Sequence, residues 1–141
     1  MTWKRFLRMG IGRRLSVLGR KLHIDWLIYN PLHFYHFHEA AVRNAPGVIA
    51  AIRQLFPDAH QLVDVGAGSG AFAAEAQRQG LQVIALEHNR YGRRLAIRQG
   101  VDARSFNLNR HPPASLEGGA DLAYCVEVAE HLTPMLGDRL V

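Results

Sequence analysis

Cysteine occurs once in the 141 residues, at Cys125, and no acidic residue stands before Asp25. A single cysteine excludes an internal disulfide and fits a reducing compartment, so the chain reads as cytoplasmic. No apolar run approaches the ~18–20 residues that a membrane-spanning helix needs. The N-terminus has neither a continuous apolar segment nor a small-residue cleavage site, so no secretory signal is read there. Arg13-Arg14 lacks the apolar region that follows in a twin-arginine signal. Internal repeats and low-complexity tracts are missing as well.

The absence of early acids locates the charge. Lys4, Arg5, Arg8, Arg13, Arg14, Arg20 and Lys21 all precede Asp25, which leaves ten basic against twelve acidic residues in the rest of the chain. The net charge of +5 therefore belongs to the N-terminal segment. The remainder has no basic surplus, which argues against nucleic acid as its partner. Residues 1–30 interleave these charges with Trp3, Phe6, Leu7, Leu15, Leu18 and Leu22 at helical spacings. Gly10, Gly12 and Gly19 predict two short helices or a loosely ordered arm in place of one long helix. The segment reads as a lead-in whose apolar face packs on the domain while its charges are solvated. Peripheral contact with an anionic membrane, or with RNA phosphates, is the alternative.

The stretch from Tyr29 to Glu39 is rich in aromatic residues and holds His33, His36 and His38. It has no i, i+4 histidine pair and no zinc-type spacing, so it reads as an aromatic cover over a pocket mouth and not as a metal site. Asn44-Ala45-Pro46 predicts a helix start. Val48, Ile49, Ile52, Leu55 and Phe56 then form an apolar stripe that Pro57 ends.

Beyond it, short apolar runs alternate with helical segments. Leu62–Val65 is a buried strand carrying one acid, Asp64, and the loop Gly66-Ala67-Gly68-Ser69-Gly70 leads into a helix over Ala71–Gln79. Further strands are predicted over Leu81–Leu86, Val101–Phe106 and Asp121–Val126, with a helix over Tyr91–Gln99 and a loop over 109–119. A turn spans Glu127–Leu132, and Thr133 caps a helix that starts with Pro134. Continuously apolar strands alternating with helices mean a mostly parallel sheet covered on both faces, an α/β, Rossmann-like three-layer αβα fold.

In such sheets ligands bind at the carboxyl ends of the strands. The glycine loop, Glu87, Asn107 and Cys125-Val126-Glu127 end the four strands in turn. Strand, glycine loop and helix together let backbone approach a nucleotide closely and offer it unpaired N–H groups. Glu87 lies 21 residues after Gly66, close to the ~20 expected of an acid that holds a ribose diol. Gly66-x-Gly68-x-x-Ala71 also satisfies the dinucleotide pattern, so an NAD(P)-binding oxidoreductase is the rival reading. Asp64 counts against it, since a carboxylate beside the loop repels a pyrophosphate and favours a cation.

The segment Leu62-Val63-Asp64-Val65-Gly66-Ala67-Gly68-Ser69-Gly70 resembles motif I of class I S-adenosylmethionine-dependent methyltransferases. Asp121 to Leu132, DLAYCVEVAEHL, resembles their fourth-strand motif in its EVxEHL form. The resemblance runs from about Phe34 to Val141. It implies that Asp64 and Gly66, Ala67, Gly68, Ser69 and Gly70 contact the methionine part of the cofactor and Glu87 the ribose hydroxyls. His88 would flank the adenine, Asn107 would face its amino group, and Val126 and Glu127 would line the pocket floor. Glu130 and His131 read as residues that cap and pack a helix start. The acceptor is read as a small molecule, and no catalytic base is assigned.

The family's sheet has seven strands, of which this sequence supplies four. A fragment is therefore expected, with residues 1–30 as an arm and 31–141 as the N-terminal part of the cofactor domain. An uncovered fourth strand would be a route to self-association. A degenerate half-domain acting as a non-catalytic interaction module stays open beside the enzyme.

Overall fold

The structure is a computed structural model that describes residues 3–22, 25–108, 119–129, 132, 134–138 and 140. Three helices lead: α1 (Trp3–Leu22), α2 (Asp25–Ile28) and α3 (Pro31–Leu55). The alternating part follows as β1 (Gln61–Val65), α4 (Ala71–Arg78), β2 (Gln82–Leu86), α5 (Arg90–Arg98), β3 (Asp102–Arg104), β4 (Leu122–Tyr124) and α6 (Pro134–Gly137). Of the turn predicted over Glu127–Leu132, residues 127–129 and 132 are described; Glu130, His131, the cap at Thr133 and residues 109–118 of the predicted loop lie outside the described residues.

The four strands form one parallel sheet in the order β3-β2-β1-β4. From β1 the chain steps through β2 to β3 on one side, then crosses to lay β4 on the other. The order thus reverses at β1, and in open α/β sheets the crevice at such a reversal is where ligands bind. Asp121 fixes the last crossing. Its Oδ2 accepts from the His60 and Gln61 N–H groups at 2.7 and 2.8 Å, which ties the start of β4 to the start of β1. The resulting register sets Asp64 beside Ala85 on β2 and Tyr124 on β4. The core gathers under the sheet and α4 from Ile49, Leu62, Ala73, Ala76, Leu81, Val83, Ala85, Ala96, Val101 and Tyr124. Small alanines on α4 and α5 allow the helices to lie close to the strands.

Three helical expectations are corrected. Residues 31–55 form one helix, which starts at Pro31 and not at the expected Asn44-Ala45-Pro46. Asn30 caps it, its Oδ1 accepting from Leu32 and His33 N–H at 3.0 and 3.1 Å, and Pro31 takes the first turn. Phe34, Ala45 and Ile49 are buried along a single face, at offsets of 11 and 15 that both return to that face at 3.6 residues per turn. Burial of that continuous face carries the helix through Pro46 at the loss of one backbone hydrogen bond.

The N-terminal segment is likewise one helix despite Gly10, Gly12 and Gly19. Two of these glycines are contact points. A Cβ at Gly12 would stand 2.9 Å from Leu32 Cβ, and one at Gly19 would stand 2.7 Å from the Ile28 nitrogen. Among the described side chains of α1, the face that packs on the domain is therefore Gly12, Ser16 and Gly19, and it is not the apolar one. Ile11, Leu18 and Leu22 are exposed.

Candidate cofactor site

The glycine loop leaves β1 at the point where the strand order reverses. The Gly66 and Ala67 N–H groups both donate to the Leu86 carbonyl, at 2.7 and 3.1 Å, so the loop folds back over the end of β2. Gly66 and Gly70 both have φ of +77°, in the left-handed region where a side chain is strained. Space excludes a side chain there as well. A Cβ on Gly66 would collide with Val128, and one on Gly70 would lie 2.5 Å from Ala96 Cβ. Gly68 differs, for a Cβ there would find only the Gly66 carbonyl oxygen, at 3.9 Å, so the surface above it is open.

Glu87, directly after β2, closes the loop from the other side. Its Oε2 accepts from Gly68 N–H at 2.7 Å and its Oε1 from Asn89 N–H at 2.5 Å. Burial pushes its pKa up, and these two N–H groups oppose the rise by favouring the charged form. The corner behind it is pinned by Arg93, whose guanidinium donates to the Glu87 and His88 carbonyls at 2.9 and 2.6 Å. The His88 side chain is exposed beside Glu87. Asn89 caps α5 through its side-chain oxygen, 2.8 Å from Tyr91 N.

Asp64 is buried beneath the loop, and its Oδ2 has no hydrogen-bond partner among the described residues. Burial pushes the carboxyl up to about 7; the neighbouring Tyr124 hydroxyl opposes that rise, and charge on Glu87 adds to it. The Tyr124 hydroxyl is itself buried without a partner of hydrogen-bond geometry. Burial and the Asp64 charge together raise its pKa. The pair is a neutral-leaning acid and a phenol held side by side by strand register, with an unmet capacity for a hydrogen bond or a positive charge.

The remaining expected residues are distributed around this centre. Ala67 and Ser69 are buried within the loop. Val126 packs against the core just after β4. Glu127 is exposed with φ of +58°, a left-handed conformation that turns the chain so that Val128 reaches Gly66. Asn107 follows β3 and is half-buried.

Several supporting residues carry no local signal in the sequence. His38 on α3 shares a 2.9 Å hydrogen bond between its Nδ1 and Ser69 Oγ. The Gln99 side-chain amide donates to the Ser69 carbonyl. Gly92, in the first turn of α5, lies directly against the loop. A Cβ there would stand 2.6 Å from the Gly68 carbonyl oxygen and 2.9 Å from Phe34 Cε1. A glycine inside a short polar helix is unfavourable by about 1 kcal/mol, and that cost is the one trace of this contact in the sequence.

A glycine loop at the switch of a parallel sheet, followed by a buried acid at the end of the next strand, defines a Rossmann-like domain that binds a nucleoside-containing cofactor. The model of the methyltransferase domain family matches residues 36–137. The chain belongs to that family, whose cofactor is S-adenosylmethionine, and this decides against the dinucleotide reading. No curated protein matches the sequence.

Solved structures share the fold. The S-adenosylmethionine-bound structure of CalS10, an amino pentose methyltransferase from Micromonospora echinaspora, is 26% identical with a TM-score of 0.56, over 69% of this chain and 41% of that one. The N-terminal domain of EvdMO1 with S-adenosylhomocysteine bound is 24% identical with a TM-score of 0.56, over 62% and 40%. An O-methyltransferase family protein from Burkholderia thailandensis is 18% identical with a TM-score of 0.62, over 98% and 45%. The chain thus spans less than half the length of each of these proteins.

The residues present fit the cofactor. An ammonium or sulfonium group would satisfy the Asp64 oxygen, and the open space at Gly68 would admit a ligand against backbone. Each Glu87 oxygen keeps a second lone pair for a hydroxyl donor.

Proposed function

We propose that this chain holds S-adenosylmethionine for methyl transfer to a small-molecule acceptor. The observation that carries the reading is the buried, unpartnered Asp64 carboxylate oxygen under an open glycine loop. S-adenosylmethionine would supply there a sulfonium methyl group for an acceptor nucleophile, with S-adenosylhomocysteine as the leaving group.

Asp64 and residues 66–70 hold the methionine end, and Glu87 takes the ribose hydroxyls on its free lone pairs. His88 and Asn107 flank the adenine, and Val126 and Glu127 form the floor. The small-molecule class of acceptor is supported by CalS10, an amino pentose methyltransferase. Residues 1–30 act as an arm and 31–141 as the cofactor domain.

Isothermal calorimetry with S-adenosylmethionine, S-adenosylhomocysteine and NAD tests the reading. The two sulfur nucleosides are expected to bind and NAD is not. Binding of NAD alone would sink the proposal, and binding of none of the three would leave a non-catalytic module in its place.

A further inference from the structure

The basic helix α1 takes no part in the cofactor site, and its orientation is opposite to what its sequence pattern suggests. Its docked face is small and polar. Gly12, Ser16 and Gly19 sit at i, i+4 and i+7 and are buried against Leu27, Ile28, Asn30 and Leu32. Ser16 Oγ lies 2.8 Å from the Ile28 carbonyl oxygen, and Asn30 Nδ2 donates to the Leu27 carbonyl at 2.8 Å. Among the described side chains of α1, no large apolar one belongs to this face.

About a quarter turn round the helix from that face stand Ile11, Leu18 and Leu22 at i, i+7 and i+11, exposed by 52%, 45% and 55%, with Leu15 half-buried on the same stripe. Arg14 and Lys21 run along one flank, and Arg13 and Val17 lie beyond them. Gly10, lacking a side chain, leaves a shallow depression bordered by Arg13, Arg14, Val17, Leu18 and Lys21. No acid occurs in α1. An exposed aliphatic stripe flanked by Arg14 and Lys21 suits an occupant that is both apolar and anionic.

We infer that α1 is a peripheral anchor that lies on an anionic phospholipid surface, Ile11, Leu18 and Leu22 entering the acyl boundary while Arg14 and Lys21 remain among the headgroup phosphates. Charge complementarity selects this occupant. A second copy of α1 on the same face would bring two acid-free cationic helices together. Binding to RNA phosphates would account for the cations and leave the aliphatic stripe without a role. The anchor holds the cofactor domain at the bilayer, the place to meet an acceptor carried in or on the lipid. That last consequence alone rests on the proposed methyl transfer.

The test is co-sedimentation of the 141-residue protein with vesicles of equal parts phosphatidylglycerol and phosphatidylcholine, and with phosphatidylcholine vesicles. Binding is expected to the mixed vesicles and to fall about tenfold or more on the neutral ones. Leu18→Ser with Leu22→Ser, and separately Arg14→Glu with Lys21→Glu, are each expected to weaken it about tenfold. All four side chains are exposed, so circular dichroism should be unchanged. Binding of S-adenosylhomocysteine, at a separate site, should be unchanged too, which separates failure here from failure of the cofactor reading. Three results would overturn the anchor. One is no binding to the mixed vesicles. Another is binding that the charge reversal abolishes and the serine pair leaves intact, the behaviour of a phosphate contact such as RNA. The third is a dimer in sedimentation equilibrium that the serine pair dissociates.

Discussion

Asp64 shows how one side chain couples folding, protonation and ligand. Unfolded, it titrates near 3.8; folded, at about 7. Because its folded pKa is raised, the native state keeps a proton that the unfolded chain has already released between those values. The resulting penalty on folding is absent below pH 3.8, grows as pH rises, and is complete above about 7. Asp64→Asn removes the titration. The variant is expected to melt several degrees above the parent at pH 8, with the gap closing as pH falls toward 4, measured by calorimetric Tm. The same variant should bind S-adenosylmethionine about tenfold or more weakly at pH 8, since the charged partner of a cation is gone. A variant no more stable than its parent at pH 8 would mean that Asp64 is not the buried, proton-holding group described.

At this scale the sequence was legible where function is local. Asp64, the glycines and Glu87 lie within a strand end and the loops beside it, so spacing alone points to them. Tyr124 against Asp64 and His38 against Ser69 are set by strand register and by helix placement across 60 and 31 residues, and no window of sequence contains them.

Elements obey packing before propensity. Gly47 and Gly92 are both helical glycines, yet a Cβ at Gly47 meets nothing within 4 Å while one at Gly92 meets the Gly68 carbonyl oxygen at 2.6 Å. Gly47→Ala should therefore stabilise by about 0.5–1 kcal/mol through helix propensity alone. Gly92→Ala should destabilise by about 1–3 kcal/mol, since a backbone carbonyl at the loop must shift to admit the methyl group. It should also weaken S-adenosylhomocysteine binding. Urea melts and calorimetry check both, and equal effects of the two substitutions would refute the contact. The two misread helices fail for one reason. Pro46, Gly12 and Gly19 are local helix breakers, and each sits where long-range contact rewards the unbroken helix. Alternation of strand and helix after Gln61 involved no such conflict, and the sheet followed the pattern.

At the scale of the molecule, the described strands end with β4 flanked by β1 alone, and the compared methyltransferases are more than twice as long. The residues gathered at the switch point are the ones proposed to hold the cofactor, and none of them is proposed to orient an acceptor. Purified residues 1–141 are accordingly expected to bind S-adenosylhomocysteine but to release little or none of it from S-adenosylmethionine when offered amino sugars and sugars. Robust turnover would show that this half of the fold contains an acceptor site of its own.

Glu87 gives the loop a further property. Its two oxygens already hold the Gly68 and Asn89 amides, so the shape of the loop is fixed by a side chain of the protein and does not wait for a ligand. The entropy of ordering it is lost when the chain folds and not when a nucleoside arrives. Association should then run as a single kinetic phase with a rate linear in ligand concentration, and discrimination between nucleosides should reside in how fast they leave.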